Sequence, residues 1–212
     1  MSDTATKNHS GSRLLEHQPR NRLYQAQKTY VAFLQAYFAS MPPGDLRWIP
    51  NQEETDIIIT GQAPVPESPH KVPIIAVVRS NAGFVGTSSG GVSEKFLGYD
   101  KTFTDNINGT MVVNCIASEG VEAEDIAYYS MIGLRLFRKV LQTSGRIHTV
   151  ANQIQVGPVT APGQILQGSK TGWRMVQVFS PFTLVEEIRV TRAAEADFKI
   201  RLKEFGLQFD TE

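Results

Sequence analysis

The chain has 212 residues with 41% hydrophobic and 20% charged side chains, enough for one domain with a sizeable core. Formal net charge is zero, which argues against a generic nucleic-acid binder, and no apolar run is long enough to span a bilayer. The polar first residues do not read as a secretory signal, and the single cysteine, Cys115, can form no internal disulfide, so a reducing compartment is expected.

Residues 1–18 are polar, Ser/Thr-rich and aperiodic, which predicts a disordered tail until something binds it. A helix is predicted after Pro19. Leu23, Tyr30, Leu34, Tyr37 and Met41 recur at helical spacing, and "MPPG" at 41–44 ends the run. Its stripe must bury against a sheet, in this chain or in a neighbour. "TDIIIT" (55–60) and "VPIIAVV" (72–78) read as strands on either side of a proline-rich loop. Residues 80–91, "SNAGFVGTSSGG", read as a long mobile loop. "KFLGYDKTF" and "GTMVVNCIA" read as two strands joined at "DNING" by an Asn-Gly hairpin turn.

From Ser118 the pattern becomes helical, with Ile126, Tyr129, Gly133, Phe137 and Val140/Leu141 on the apolar side. Ser118 reads as the N-cap. Glu119, Glu122, Glu124 and Asp125 crowd the first turns, where the helix dipole favours negative charge. Arg135, Arg138 and Lys139 suit the other end, Gly145 its cap, and Gly133 a close approach to the sheet. The acid cluster thus needs no metal or acid–base role. "IHTVANQIQVG" (147–157), "WRMVQVF" and "FTLVEEIRV" follow as strands, the last two parted at Ser180-Pro181 by a bulge or edge position. Residues 192–205 return to helical spacing, with Glu195–Lys199 and Asp197–Arg201 pairs. The expected class is α+β: a mainly antiparallel sheet packed against one long central helix, with N-terminal and C-terminal helices. The expected organisation is a tail over 1–18, one domain over 19–190 and a helical extension over 191–212.

Two motifs imitate enzymes. Gly86-Thr87-Ser88-Ser89-Gly90 fits G-x-S-x-G, with Asp100 or Asp125 and His148 in hydrolase order, but "GVSEKFLGYDKTF" downstream is no elbow helix. "GQILQGSKT" (163–171) resembles a phosphate loop with its lysine one residue out of place, and a strand follows it. The histidines at 9, 17, 70 and 148 lack zinc-ligand spacing, and Cys115 sits in an apolar strand as an inert thiol. No catalytic, cofactor or metal residue is assigned, which leaves assembly. Charge is segregated in a way that suits contacts between copies: residues 1–50 carry +3, 51–125 carry −7 and 126–212 carry +4.

The block from Phe103 to Val159 resembles tail-terminator and neck (tail-completion) proteins of tailed bacteriophages. The resemblance rests on Ser118-Glu119-Gly120, Glu122-Ala123-Glu124, Ile126-Ala127 and Phe137-Arg138, with Val176, Val178 and Phe182 downstream and "RWIPNQEETDIIIT" upstream. It covers roughly residues 45–190, by order and length more than by any diagnostic motif. It implies a non-enzymatic virion protein, assembled in the host cytoplasm. Six copies would form a ring that ends the tail tube, contacts the tail-tube protein and the head-side connector, and leaves a channel for DNA. A head-closure connector or another tail ring is the alternative, and an α+β hydrolase or ligand-binding protein the more distant one. The candidate interface residues are Phe84 and Ser88 in the 80–91 loop, Glu122 and Glu124 at the helix start, and Arg192, Phe198, Arg201 and Phe205 in the C-terminal helix.

Overall fold

The computed structural model describes residues 21–51, 53–62, 73–85, 95–97, 100–145, 147–161 and 172–190. Helix α1 (Arg22–Ala39) starts where the Asn21 side chain accepts a hydrogen bond from the Tyr24 N–H, an ordinary N-cap. Beyond the helix the chain turns through Gly44 and Leu46, both at positive φ, and the Asp56 carboxylate holds the turn by accepting from the N–H groups of Gly44 and Arg47. Strand β1 (Ile58–Thr60) then runs parallel to β2 (Ile74–Val85), and β2 runs antiparallel to β4 (Asp100–Ala117). Strand β3 (Lys95–Leu97) pairs with the first residues of β4.

Helices α2 (Gly120–Leu136) and α3 (Arg138–Gly145) follow, then the short strands β5 (Thr149–Val150) and β6 (Gln155–Val156), then β7 (Arg174–Val190). The sheet order is β1-β2-β4-β7-β5, with β6 also on β7. Gln177 donates to the Asn114 side chain and Thr183 to that of Asn108. As β4 advances its partners on β7 recede, so these strands too are antiparallel. Asn21–Val85 and Asn106–Val185 form one compact unit. β3, the start of β4 up to Asp105 and the end of β7 from Glu186 belong to a second.

The α+β class and the mainly antiparallel sheet stand. Ala26, Tyr30, Leu34 and Phe38 of α1 are buried with Val77, Val113 and Cys115, so the α1 stripe packs on this chain's own sheet. Gln27 reinforces the seat by donating to the carbonyls of Gly61 and Val77. The alternate residues Ile74 and Ile116 join Met175 in a separate cluster on the opposite sheet face, as period-two geometry requires. Deep in the first core the Tyr30 hydroxyl shares a 2.9 Å hydrogen bond with Ser180. Tyr30→Phe strands the buried Ser180 hydroxyl and is expected to cost about 1–3 kcal/mol, read from the urea midpoint. Adding Ser180→Ala should recover part of that loss, because the second orphan disappears. Strictly additive costs would show the hydroxyls to be uncoupled.

Several sequence expectations are corrected. The single long central helix is two helices: Phe137 leaves helical geometry (φ −104°, ψ 19°), and its ring packs beside the stacked pair Phe33 and Tyr37 of α1. A Cβ on Gly133 would come within 3.0 Å of the Tyr37 ring, so this glycine admits a helix, not the sheet. The buried face of α2 is Ala123, Ile126, Ala127, Ser130, Gly133 and Leu134. Tyr129, Phe137 and Val140, expected inside, are about half exposed. The N-cap is Glu119, not Ser118, whose hydroxyl instead donates to Glu122 at 3.4 Å.

The expected Asn-Gly hairpin does not exist. Asn108-Gly109 lies mid-strand in β4, because β2 continues to Val85 and pairs with Asn106–Thr110 after a bulge near Ser80. The same pairing turns 80–85 of the expected loop into strand. β7 is likewise continuous through Ser180-Pro181. Pro181 sits where its outer partner changes from β6 to β5; its carbonyl accepts from the Ala151 N–H, and its missing N–H costs the ladder at most one bond at this junction. "IHTVANQIQVG" yields only the two-residue strands β5 and β6. The tail 1–18 and the C-terminal helix 192–205 lie outside the described residues.

Candidate functional site

The expected site residues separate. Phe84, near the end of β2, is 63% exposed and lines a concavity of about 560 Å³ with Asn81, Asn108, Thr149, Phe182 and Thr183. The lining is uncharged, so it offers surface and amide or hydroxyl groups but no acid or base. Glu122 and Glu124 lie elsewhere: the start of α2 sits by Val159 and by Arg174, the first residue of β7, whereas Phe182 is at the middle of that strand. Eight residues of strand part those positions, about 26 Å. Glu122 is half-buried and bonded to Ser118, whereas Glu124 is exposed. Ser88, Arg192, Phe198, Arg201 and Phe205 lie outside the described residues, as do the G-x-S-x-G and phosphate-loop look-alikes.

Of the groups considered for chemistry, Cys115 is fully buried and its thiol is pushed up to about 12, first by burial and against a weak Ser130 contact. It therefore stays protonated in the folded state. His148 and Asp125 are exposed. Among the described residues no three His, Cys, Asp or Glu side chains gather as metal ligands would, and no helix is long and apolar enough to cross a membrane.

What the sequence pattern concealed is the outer side of α2. Val121, Tyr128, Ile132 and Leu136 follow one another at spacings of seven, four and four residues, hence on one face, opposite the buried one. Val121 is 68% and Leu136 69% exposed, with Tyr128 and Tyr129 about half so. A helix apolar on both sides is normally covered on both. The two ends of this face differ in charge. Glu124 and Asp125 flank Val121 and Tyr128 at the start. At the far end Arg135, Leu136, Arg138 and Lys139 meet Ala151 and Asn152 around a second concavity of about 510 Å³. The signal for this surface was present as apolar residues at 121, 128, 132 and 136. One stripe already accounts for the helix, so the pattern by itself does not call for a second.

No family model matches the chain, and no curated protein is detectably similar to it.

Proposed function

We propose that this chain is a structural protein of the neck of a tailed phage, acting as a ring of six copies that ends the tail tube and joins it to the head-side connector. The observation that carries the reading is the outer face of α2: a two-sided apolar helix on a folded α+β unit is built to be covered by another subunit. The order of elements and the acidic start of α2, on which the resemblance to tail-terminator and neck proteins rests, supply the kind of assembly. In this role the protein works by shape. It stops tube growth, offers one face to the tube and the other to the connector, and leaves a passage for DNA that needs no base-specific contact.

A ring joins unlike patches through a rotation that closes. The purified chain should therefore run at a native mass several times that of one copy, and imaging should show a six-fold ring with a central hole. If the chain stays monomeric alone and also fails to bind the ends of purified tail tubes, the proposal is wrong.

A further inference from the structure

A cyclic ring needs two different patches on every copy, and the geometry points to which two. We propose that the acidic start of α2 in one copy docks into the basic concavity at the α2–α3 junction of the next. This inference rests on the ring reading and adds the contact that closes the ring.

The first patch is Val121, Glu124, Asp125 and Tyr128. Their spacing puts all four on one side of α2, two carboxylates between two exposed apolar side chains. Glu122 is turned away and held by Ser118, so it stands outside the patch. The second patch is the concavity of about 510 Å³ lined by Arg135, Leu136, Arg138 and Lys139, with Ala151 and Asn152 on its other wall. It too combines charge with an exposed apolar group, since Leu136 is 69% exposed.

The pairing is complementary twice over. Carboxylates meet guanidinium groups, whose planar fork suits two-pronged contact, and Val121 and Tyr128 meet Leu136. The break at Phe137 produces the socket, because it turns Arg138 and Lys139 away from the line of α2. The sheet edge supplies the remaining wall through Ala151, whose N–H is fixed to the Pro181 carbonyl. The patches occupy opposite ends of a helix of 17 residues, about 25 Å long, so each copy can give one end and receive at the other. That head-to-tail arrangement is heterologous and propagates until it closes.

The test uses two charge-reversed proteins, Glu124→Arg with Asp125→Arg, and Arg135→Glu with Arg138→Glu, each confirmed as folded by circular dichroism. Native mass is measured for each alone and for an equal mixture. Each variant alone should lose the ring, with at least a tenfold weaker self-association. The mixture should regain it, because acidic and basic patches then alternate around an even-numbered ring. Glu122→Arg carries a similar helix-dipole penalty outside the patch and should assemble as the parent does.

Rings formed by either variant alone overturn this contact and leave the ring reading intact. A mixture that stops at pairs also overturns it, since that outcome marks a two-fold contact. If Arg135→Glu with Arg138→Glu assembles normally but no longer retains a DNA duplex that the parent retains, the concavity belongs to nucleic acid and not to a second copy. Absence of rings in the parent protein, alone and on tail tubes, removes the ring reading itself.

Discussion

Replacing Phe182 by alanine should cost about 3–5 kcal/mol of folding stability. The side chain is 3% exposed and lies at a three-way contact. Its ring sits over Gly109 of β4 and faces Tyr30 of α1 at 6.4 Å between centroids. A cavity there loosens the α1 seat and the β4–β7 seam together. The reciprocal change is informative. A Cβ at Gly109 would stand 2.7 Å from the Phe182 Cζ and 3.0 Å from the Asn81 carbonyl oxygen. Gly109→Ala alone should therefore cost about 1–3 kcal/mol through overpacking. In the Phe182→Ala background the ring is gone and that cost should fall, leaving only the backbone contact. Urea midpoints of the four proteins give the coupling directly. Simple additivity would show that Phe182 does not rest on Gly109.

Stability should fall steeply above pH 9. Two groups are held neutral by burial: the Cys115 thiol, raised from 9.0 to about 12, and the Tyr30 hydroxyl, raised from 10.0 to about 12. Below pH 9 both are protonated in the folded and the unfolded chain, and the stabilisation is fully present. Above it the unfolded chain releases the Cys115 proton, and above pH 10 the Tyr30 proton, while the folded chain keeps both until near pH 12. The unfolded state then binds fewer protons, so unfolding becomes easier with each step in pH. At about 1.4 kcal/mol per unit, each group accounts for a loss on the order of a few kcal/mol by pH 12. Urea unfolding at pH 8, 9.5 and 11 should show the decline, and Cys115→Ala should flatten its first part, between pH 9 and 10. An unchanged slope in that variant would mean that the thiol is not the group responsible.

The legible parts of the fold were those in which a single element's own chemistry decides. Tyr30 and Leu34 announced the buried face of α1 because a helix must repeat its apolar residues every three or four positions. The Val/Ile density of β2 and β4 announced buried strands, and the Glu and Asp residues around 119–125 announced a helix start. The misread parts were decided across elements. Asn108-Gly109 carries the local preference for a tight turn, yet Asn81–Val85 offers a complete ladder and the Phe182 ring takes the place of a side chain at Gly109. Phe137 fits a continuous helix by spacing, but Phe33 and Tyr37 draw its ring out of line.

The candidate site divides in the same way. Glu124 was singled out from sequence and stands exposed on the acidic end of α2, while Glu122, chosen beside it, spends its carboxylate on Ser118. Arg135, Arg138 and Lys139 were visible only as charges suited to a helix C-terminus. Their convergence with Leu136, Ala151 and Asn152 depends on the break at Phe137 and on β5 lying against β7.

By itself the sequence determined the α+β class, the existence of α1 and two residues of its buried face, Tyr30 and Leu34, the burial of Cys115 and the charge polarity of α2, since each follows from local spacing, propensity or dipole. Only the tertiary structure decided that β4 and β7 are unbroken, that the long helix is two, and that α2 shows a second apolar face between an acidic and a basic end. Those outcomes depend on which surfaces meet across tens of residues, and an aromatic ring over a glycine or a paired strand edge outweighs the smaller preference of a turn or a helical repeat.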